Sequence, residues 1–193
     1  EHFEVAAAAR NGLLAALRAE RDTPRALQGA ALQSELGSAG DTALLDGLGE
    51  EWELSQSIYK AFPCDSALHA AIEACLGARA RHRPLIRHIA SVEVRVHPGV
   101  LERVSSAPPQ DTSQARRSLA HAAAVALIDG AAGRQQFSEN RVASVRIAEM
   151  RRRIELVGDD SLPPAAARVV LRLADGRLAE HGVGDVVGGD ADP

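Results

Sequence analysis

The spacing of apolar positions predicts helices through the first third of the chain. Between residues 3 and 21, small and apolar side chains recur at helical intervals on one side, at Val5, Ala9, Leu13, Ala16 and Leu17. A second helix is predicted to begin at Thr23 and Pro24, and a third, short one covers 41–48. Three amphipathic helices with no covering layer leave a large apolar surface, so we expect a homodimer contact or a complementary helical chain there.

The remainder of the chain mixes helix and strand periods. A helix capped by Asp65 or Ser66 is predicted to run to about Arg81. In "IASVEVRVH" (residues 89–97), valines alternate with polar residues, which indicates a half-buried strand.

Downstream, an alanine-rich pattern predicts one long helix, capped at Asp111 or Thr112 and stopped by Gly130. A shorter helix is predicted from Ser138. The segments "RRRIELVG" and "AARVVLRLADGRLAEHGV" follow as strands, the second folded into a hairpin at Asp175–Gly176. This order predicts an α+β fold rather than strict βαβ alternation.

Composition narrows the class of protein. Apolar residues make up 46% of the 193 residues, which suffices for a core, and the net charge of −4 gives no basic surface typical of nucleic-acid binding. Two cysteines, Cys64 and Cys75, are too few for an iron–sulfur cluster. With no apolar run of membrane-spanning length and no signal peptide, we expect a cytoplasmic protein that contacts no membrane.

Lys60 is the only lysine in the chain, and it precedes a Phe-Pro-Cys turn. Because the residue before a proline is pushed toward extended geometry, Phe62 should interrupt helical backbone there. A lysine on such a turn can serve as a desolvated, neutral amine base or as a charged clamp for carboxylates. The plainer interpretation is a surface lysine at a domain junction.

Three further side chains are candidates for binding a substrate. His69 lies one helical turn after Asp65, which could orient its ring. Arg117 and Ser118 could together bind a carboxylate, on the same helix side as His121. A structural histidine and the polar edge of a packed helix are the alternatives.

Metal and nucleotide motifs are missing from the sequence. It contains neither HxxxH, HExxH nor an acidic calcium loop. The glycine-containing stretches "DGAAGR" and "GVGDVVGG" do not join a strand to a helix as a dinucleotide fingerprint does. We therefore expect a site without metal or cofactor.

Taken together, four segments resemble the MmgE/PrpD family of 2-methylcitrate dehydratase-like proteins. They are "LGEEWEL...SIYKAFPCDSALHAAIEA", "IASVEVRVH", "QARRSLAHAAAVALIDG" and "RVVLRLADGR", and the similarity extends over residues 3–187. The resemblance implies a large helical domain, an α+β lid and an active site in the cleft between them. On that basis residues 1–54 are the tail of the helical domain, 55–189 the lid and 190–193 a loose end.

The resemblance also implies a reaction. Members of the family act on small polycarboxylates at a carbon next to a carboxylate, without an iron–sulfur cluster, as dehydratases, decarboxylases or epimerases. Lys60 matches the lysine of the family's motif, and Ser118 matches the serine that begins its Ser-Leu helix. We therefore expect a lyase of dehydratase type in which Lys60 is catalytic and Arg117, Ser118 and His69 contact substrate.

Part of the family's pattern is missing from the sequence. The segment of the helical domain that carries the family's acid/base histidines has no counterpart here, so half of the cleft is expected to come from elsewhere. An epimerase or decarboxylase on the same scaffold, and a non-catalytic accessory or truncated subunit, remain the alternatives.

Overall fold

The computed structural model describes residues 2–21, 50, 52, 59–82 and 86–184. The chain divides into two compact units, Glu1–Ser57 and Ile58–Pro193. In the first unit, helix α1 (His2–Arg21) confirms the first predicted helix. Its residues Leu13 and Leu17 are 62% and 46% exposed. The helices predicted from Thr23 and over 41–48 lie outside the described residues.

A four-stranded mixed sheet organises the second unit. Its strands are β1 (Ile89–Val96), β2 (Ile154–Gly158), β3 (Ala167–Leu173) and β4 (Leu178–Val183). The order across the sheet is β2-β1-β3-β4, with β1 parallel to β2 and antiparallel to β3, and β3 antiparallel to β4. This sheet with its helices confirms the predicted α+β class.

The register of the sheet places its apolar residues on one face. Val92, Val94 and Val96 of β1 are buried, and Val94 lies opposite Leu156 of β2 and Val169 of β3. The β3–β4 hairpin turns at Gly176, whose φ of 83° is favourable for glycine. Both the strand at 89–97 and the hairpin were predicted from their patterns.

Helices and short 3-10 segments complete the second unit. The α-helices are α2 (His69–His82), α3 (Pro98–Arg103), α4 (Thr112–Ala115), α5 (Leu119–Asp129), α6 (Glu139–Val142) and α7 (Val145–Arg152). The 3-10 segments are Ser66–Leu68, Ile86–His88 and Arg134–Phe137. Helix α5 lies at the centre, in contact with α2, α7 and β2. Its alanines let these neighbours approach closely.

Two predicted helices are each divided in the structure. The long helix expected from Asp111 to Gly130 ends after Ala115 and begins again at Leu119, because Ser118 takes extended backbone and caps α5. Gly130 ends α5 as predicted, in left-handed geometry with φ 69°. The helix expected from Ser138 is likewise interrupted, since Ser144 is extended between α6 and α7.

Candidate functional site

The turn that follows Lys60 is held by its own backbone. The amide of Cys64 donates to the Phe62 carbonyl at 2.9 Å, and the Asp65 carboxylate accepts from the amide of Ala67 at 3.0 Å. Asp65 therefore caps the 3-10 turn that leads into α2, as the sequence predicts. This arrangement fixes where the chain leaves Lys60 and enters the helix.

Backbone contacts join this turn to the start of α5. The amide of Asp65 donates to the Arg116 carbonyl at 2.9 Å, and the amide of Ser105 donates to the Arg117 carbonyl at 2.9 Å. Ser105 and Ser118 also form an isolated parallel bridge. We call the three segments so joined, residues 60–65, 103–105 and 116–118, the Lys60 corner.

The Lys60 corner carries an excess of positive charge. Lys60, Arg116 and Arg117 are exposed, and the Arg103 side chain is 66% exposed. The single carboxylate of the corner, Asp65, lies 3.9 Å from the Arg103 guanidinium. An exposed surface with four cations and one carboxylate is suited to bind small polyanions.

Lys60 itself is exposed, as is the neighbouring Tyr59, with 93% of its surface accessible. Of the two roles predicted for Lys60, this exposure favours the charged clamp over the desolvated amine base. Its charge acts on both the Cys64 thiol and the His69 ring, so Lys60 lies close to each of them.

His69 is buried at the first position of α2, with 5% of its surface exposed. One ring nitrogen bonds to the Phe62 backbone carbonyl, and the Phe62 ring packs edge-on at 5.2 Å. The other nitrogen, Nε2, has no hydrogen-bond partner in the described part of the chain. The carbonyl of Phe62, rather than the predicted Asp65, thus orients the ring.

Burial lowers the pKa of His69, and the nearby charge of Lys60 lowers it further. The hydrogen bond to Phe62 and the charge of Asp65 act in the opposite direction. At neutral pH the ring is therefore neutral, and because one nitrogen donates to Phe62, Nε2 offers a lone pair. Nε2 is itself buried, so this lone pair does not face solvent in the structure.

The Cys64 thiol lies inside the corner but is not suited to act as a nucleophile. Burial, and after it the charge of Asp65, raise the pKa of Cys64 to about 12 against the opposing charges of Lys60 and Arg116. A thiol with this pKa is almost entirely protonated at neutral pH, and only the thiolate is a good nucleophile. Cys64 packs in the turn.

Ser118 is 1% exposed and serves as the N-cap of α5, where its Oγ accepts from the His121 amide at 3.3 Å. Arg117, in contrast, is exposed and lies in the turn before the helix. The predicted common side of Arg117, Ser118 and His121 is therefore wrong, because the helix begins only after Arg117. Contact of Ser118 with a substrate stays a prediction.

His121 belongs to the core and not to the Lys60 corner. Its Nε2 donates to the Gln136 carbonyl at 3.0 Å, and its Nδ1 lies 3.1 Å from the Arg151 guanidinium. Since arginine only donates, Nδ1 must be the acceptor, and the ring is neutral. Both nitrogens are thereby occupied.

The corner thus contains three of the four predicted site residues, Lys60, Arg117 and Ser118, and the fourth, His69, lies close enough for the Lys60 charge to act on it. Sequence reasoning missed Arg103 and Arg116. The adjacent pair Arg116–Arg117 was a usable signal, whereas Arg103 reaches the corner only through the fold. Among the described residues, no group of three His, Cys, Asp or Glu side chains is placed to hold a metal ion.

This α+β unit with a cationic corner can be assigned to a known family. A family model described as the MmgE/PrpD C-terminal domain matches residues 62–193. The chain belongs to this family, and the resemblance drawn from the sequence is confirmed for the part that this model matches. No curated protein matches the sequence. In the described part of the chain, no helix has the length and apolar character needed to cross a membrane.

Proposed function

We propose that this chain contributes the lid side of the active site of a cofactor-independent lyase. The reaction is a dehydration of a small polycarboxylate such as 2-methylcitrate. Membership of the MmgE/PrpD family supports the class of enzyme. The observation that carries the site is the Lys60 corner, where four exposed cations are accompanied by a single carboxylate, Asp65.

Elimination of water breaks a C–H bond next to a carboxylate and a C–O bond at the neighbouring carbon. The proton goes to a base, an acid protonates the departing hydroxyl so that it leaves as water, and a C=C bond forms. Negative charge that develops on the carboxylate during proton loss needs nearby cations. Lys60, as the catalytic residue, stabilises that charge at the exposed edge of the corner.

The remaining residues bind the substrate. Arg117 pairs with a substrate carboxylate, for which the planar guanidinium offers two parallel donors. His69 accepts from a substrate hydroxyl through Nε2, which requires the side chains that bury this nitrogen to move aside. Ser118 fixes the first turn of α5 and, as the prediction has it, adds its hydroxyl to carboxylate binding. The acid/base groups that complete the reaction come from a complementary helical domain, in this polypeptide or a partner chain.

The single lysine permits a direct test of this function. Reductive methylation with ¹³C-formaldehyde labels the amines of Lys60 and of the N-terminus. The Lys60 signal is the one that is absent from the NMR spectrum of Lys60→Arg. Titration with citrate is expected to shift the Lys60 signal in a saturable way, while acetate at equal ionic strength leaves it unchanged. Citrate without effect on Lys60 would remove the corner from substrate binding.

The products of turnover distinguish the related activities. In deuterated water, a dehydratase forms an alkene, whereas an epimerase places deuterium at the stereocentre without one. A decarboxylase releases carbon dioxide.

An accessory, non-catalytic subunit is the second candidate, favoured by the exposed Leu13 and Leu17 of α1. A partner or a second copy that covers this helix would lower their exposure. Light scattering of the purified chain, alone and after co-expression with a helical-domain protein of the family, tests this candidate. A monomer in both cases argues against it.

A further inference from the structure

A second concentration of arginines lies away from the Lys60 corner, around a groove at the far end of α5. The groove has a volume of about 230 Å³ and is lined by Arg87, Ile128, Arg146, Glu149, Met150 and Arg153. Ser118, in the Lys60 corner, caps the start of α5, and Ile128, in the groove, lies near the end of this helix. At a rise of 1.5 Å per residue, the corner and the groove are roughly 15 Å apart along α5.

The described residues that line this groove carry an excess of positive charge. Arg87, Arg146 and Arg153 stand against Glu149 alone, a formal excess of two positive charges in the lining. Over residues 86–184 and the other described segments, none of the three arginines has a carboxylate within ion-pair distance. Three guanidinium groups around one concave surface repel one another unless an anion lies between them.

Two of these arginines are held in place by neighbours. Arg153 donates to the Ile89 carbonyl at 2.7 Å, and Nε of Arg87 lies 3.3 Å from Nε2 of His88. Each bond leaves further guanidinium donors unused, since arginine carries five. The groove therefore presents donors whose positions are partly fixed before a ligand arrives.

Capping of α5 does not account for these arginines. The carbonyls of Leu127 and Ile128 at the end of the helix accept from Arg79, at 2.8 Å for Ile128. Arg79 thereby supplies the positive charge that a helix C-terminus favours. The groove arginines remain free to bind a separate anion.

From this geometry we propose that the Arg87–Arg146–Arg153 groove binds a small dianion, of the size and charge of inorganic phosphate or a short dicarboxylate. Guanidinium groups bind both through paired N–H···O bonds. The floor of Ile128 and Met150 is buried and apolar and accommodates a short carbon body attached to the anionic group. This site is separate from the substrate site proposed at the Lys60 corner.

Isothermal titration with phosphate tests the proposal, with chloride at equal ionic strength as the blank. Wild-type protein is expected to bind phosphate saturably, and Arg87→Gln and Arg146→Gln are each expected to weaken binding about tenfold. Glu149→Gln is expected to strengthen binding, because it removes the one negative charge of the lining. A parallel titration with succinate shows which of the two dianions is preferred.

Two variants serve as controls. Arg152→Gln removes an exposed arginine of α7 that does not line the groove, and Arg172→Gln removes an exposed arginine of β3 that lies outside both the groove lining and the Lys60 corner. Both are expected to bind phosphate like the wild type, with circular dichroism confirming that every variant is folded. Absence of saturable binding, or loss of binding in the controls equal to that in Arg146→Gln, would overturn the proposal.

Discussion

The amide of Asp65 donates to the carbonyl of Arg116 at 2.9 Å. This single bond joins the turn after Lys60 to the turn before α5, two segments far apart in the sequence. Asp65 also caps the entry to α2 through its side chain, so one residue fixes both the helix start and the approach of Arg116 and Arg117. The cationic corner depends on this junction.

Replacement of Lys60 is expected to impair turnover if the proposed function holds. Lys60→Met in the active assembly should lower the rate roughly 10²-fold, because a cation that stabilises developing charge is lost. Lys60→Arg retains the charge and is expected to keep a substantial part of the rate. Steady-state assays of both variants make the comparison, and near wild-type turnover by Lys60→Met would exclude Lys60 from the mechanism.

Ser118→Ala separates a capping role from a substrate-binding role. Loss of the N-cap should lower the free energy of unfolding by about 1 kcal/mol, measured by urea denaturation, and Ser118→Thr should retain most of it. If Ser118 also contacts substrate, Ser118→Ala raises KM beyond what Ser118→Thr does. A stability loss with unchanged KM and kcat would leave Ser118 as a cap alone.

Both cysteines are expected to be inert in the folded protein. Burial raises the pKa of Cys75 to about 12, as it does for Cys64. At pH 8 only about one thiol in ten thousand is ionised, so a disulfide reagent such as DTNB should react slowly with native protein and completely in denaturant. Rapid reaction of one thiol per native chain would show that the turn around Cys64 opens.

The sequence predicted those features that depend on local pattern. Alternation of Val92, Val94 and Val96 identified β1, because successive side chains of a strand face opposite sides of the sheet. Gly130 marked the end of α5, because glycine is favoured in the left-handed backbone that ends a helix. The break in the helix before Ser118 was not predicted from the local sequence. Alanines favour helix on both sides of it, and the interruption depends on the pairing of Ser105 with the 116–118 turn.

For the candidate site, the sequence predicted which residues take part but not how deeply each is buried. Lys60, His69, Arg117 and Ser118 were singled out from local motifs and resemblance, and the fold places three of them in the Lys60 corner and His69 close to Lys60. Their depths, in contrast, follow from tertiary packing, which buries His69 and Ser118 but leaves Arg117 exposed. Arg103 could not be found by spacing, since it comes to Asp65 only when α3 packs beside the turn.

Gly77 is needed for the packing of α2 against β4. A Cβ built at this position overlaps Nε2 and Cδ2 of the His181 ring. Gly77→Ala is therefore expected to displace the His181 ring, at a cost of about 1–3 kcal/mol, of which the higher helix propensity of alanine offsets about 1 kcal/mol. Thermal and urea denaturation measure the change.

Two further variants test the cause. Gly77→Ala combined with His181→Ala should recover part of the loss, because the overlapping ring is gone. Gly182→Ala lies on the same strand, where an added Cβ meets only the Ala167 carbonyl oxygen at 3.7 Å, and should change stability little. If the double variant is no more stable than the sum of its single changes, the overlap is not the cause.

Stability is expected to fall as the pH drops from about 7 to 5. Burial lowers the pKa of His121 below its ordinary 6.5, and the adjacent Arg151 guanidinium adds to this effect against the opposing influences of Gln136 and Asp129. In the unfolded chain His121 takes up a proton near pH 6.5, whereas the folded protein resists protonation until lower pH. The unfolded state therefore binds more protons in this window, and the contribution present above pH 6.5 is lost on acidification. His69, whose pKa burial also lowers, acts in the same direction.

Urea denaturation from pH 5 to 7.5 measures how the free energy of unfolding changes with pH, and histidine NMR signals show which ring is responsible. His121→Gln should flatten the pH dependence, because it removes the buried titrating ring. A stability that stays constant over this range, or a His121 signal that titrates above pH 6.5, would contradict the buried neutral ring.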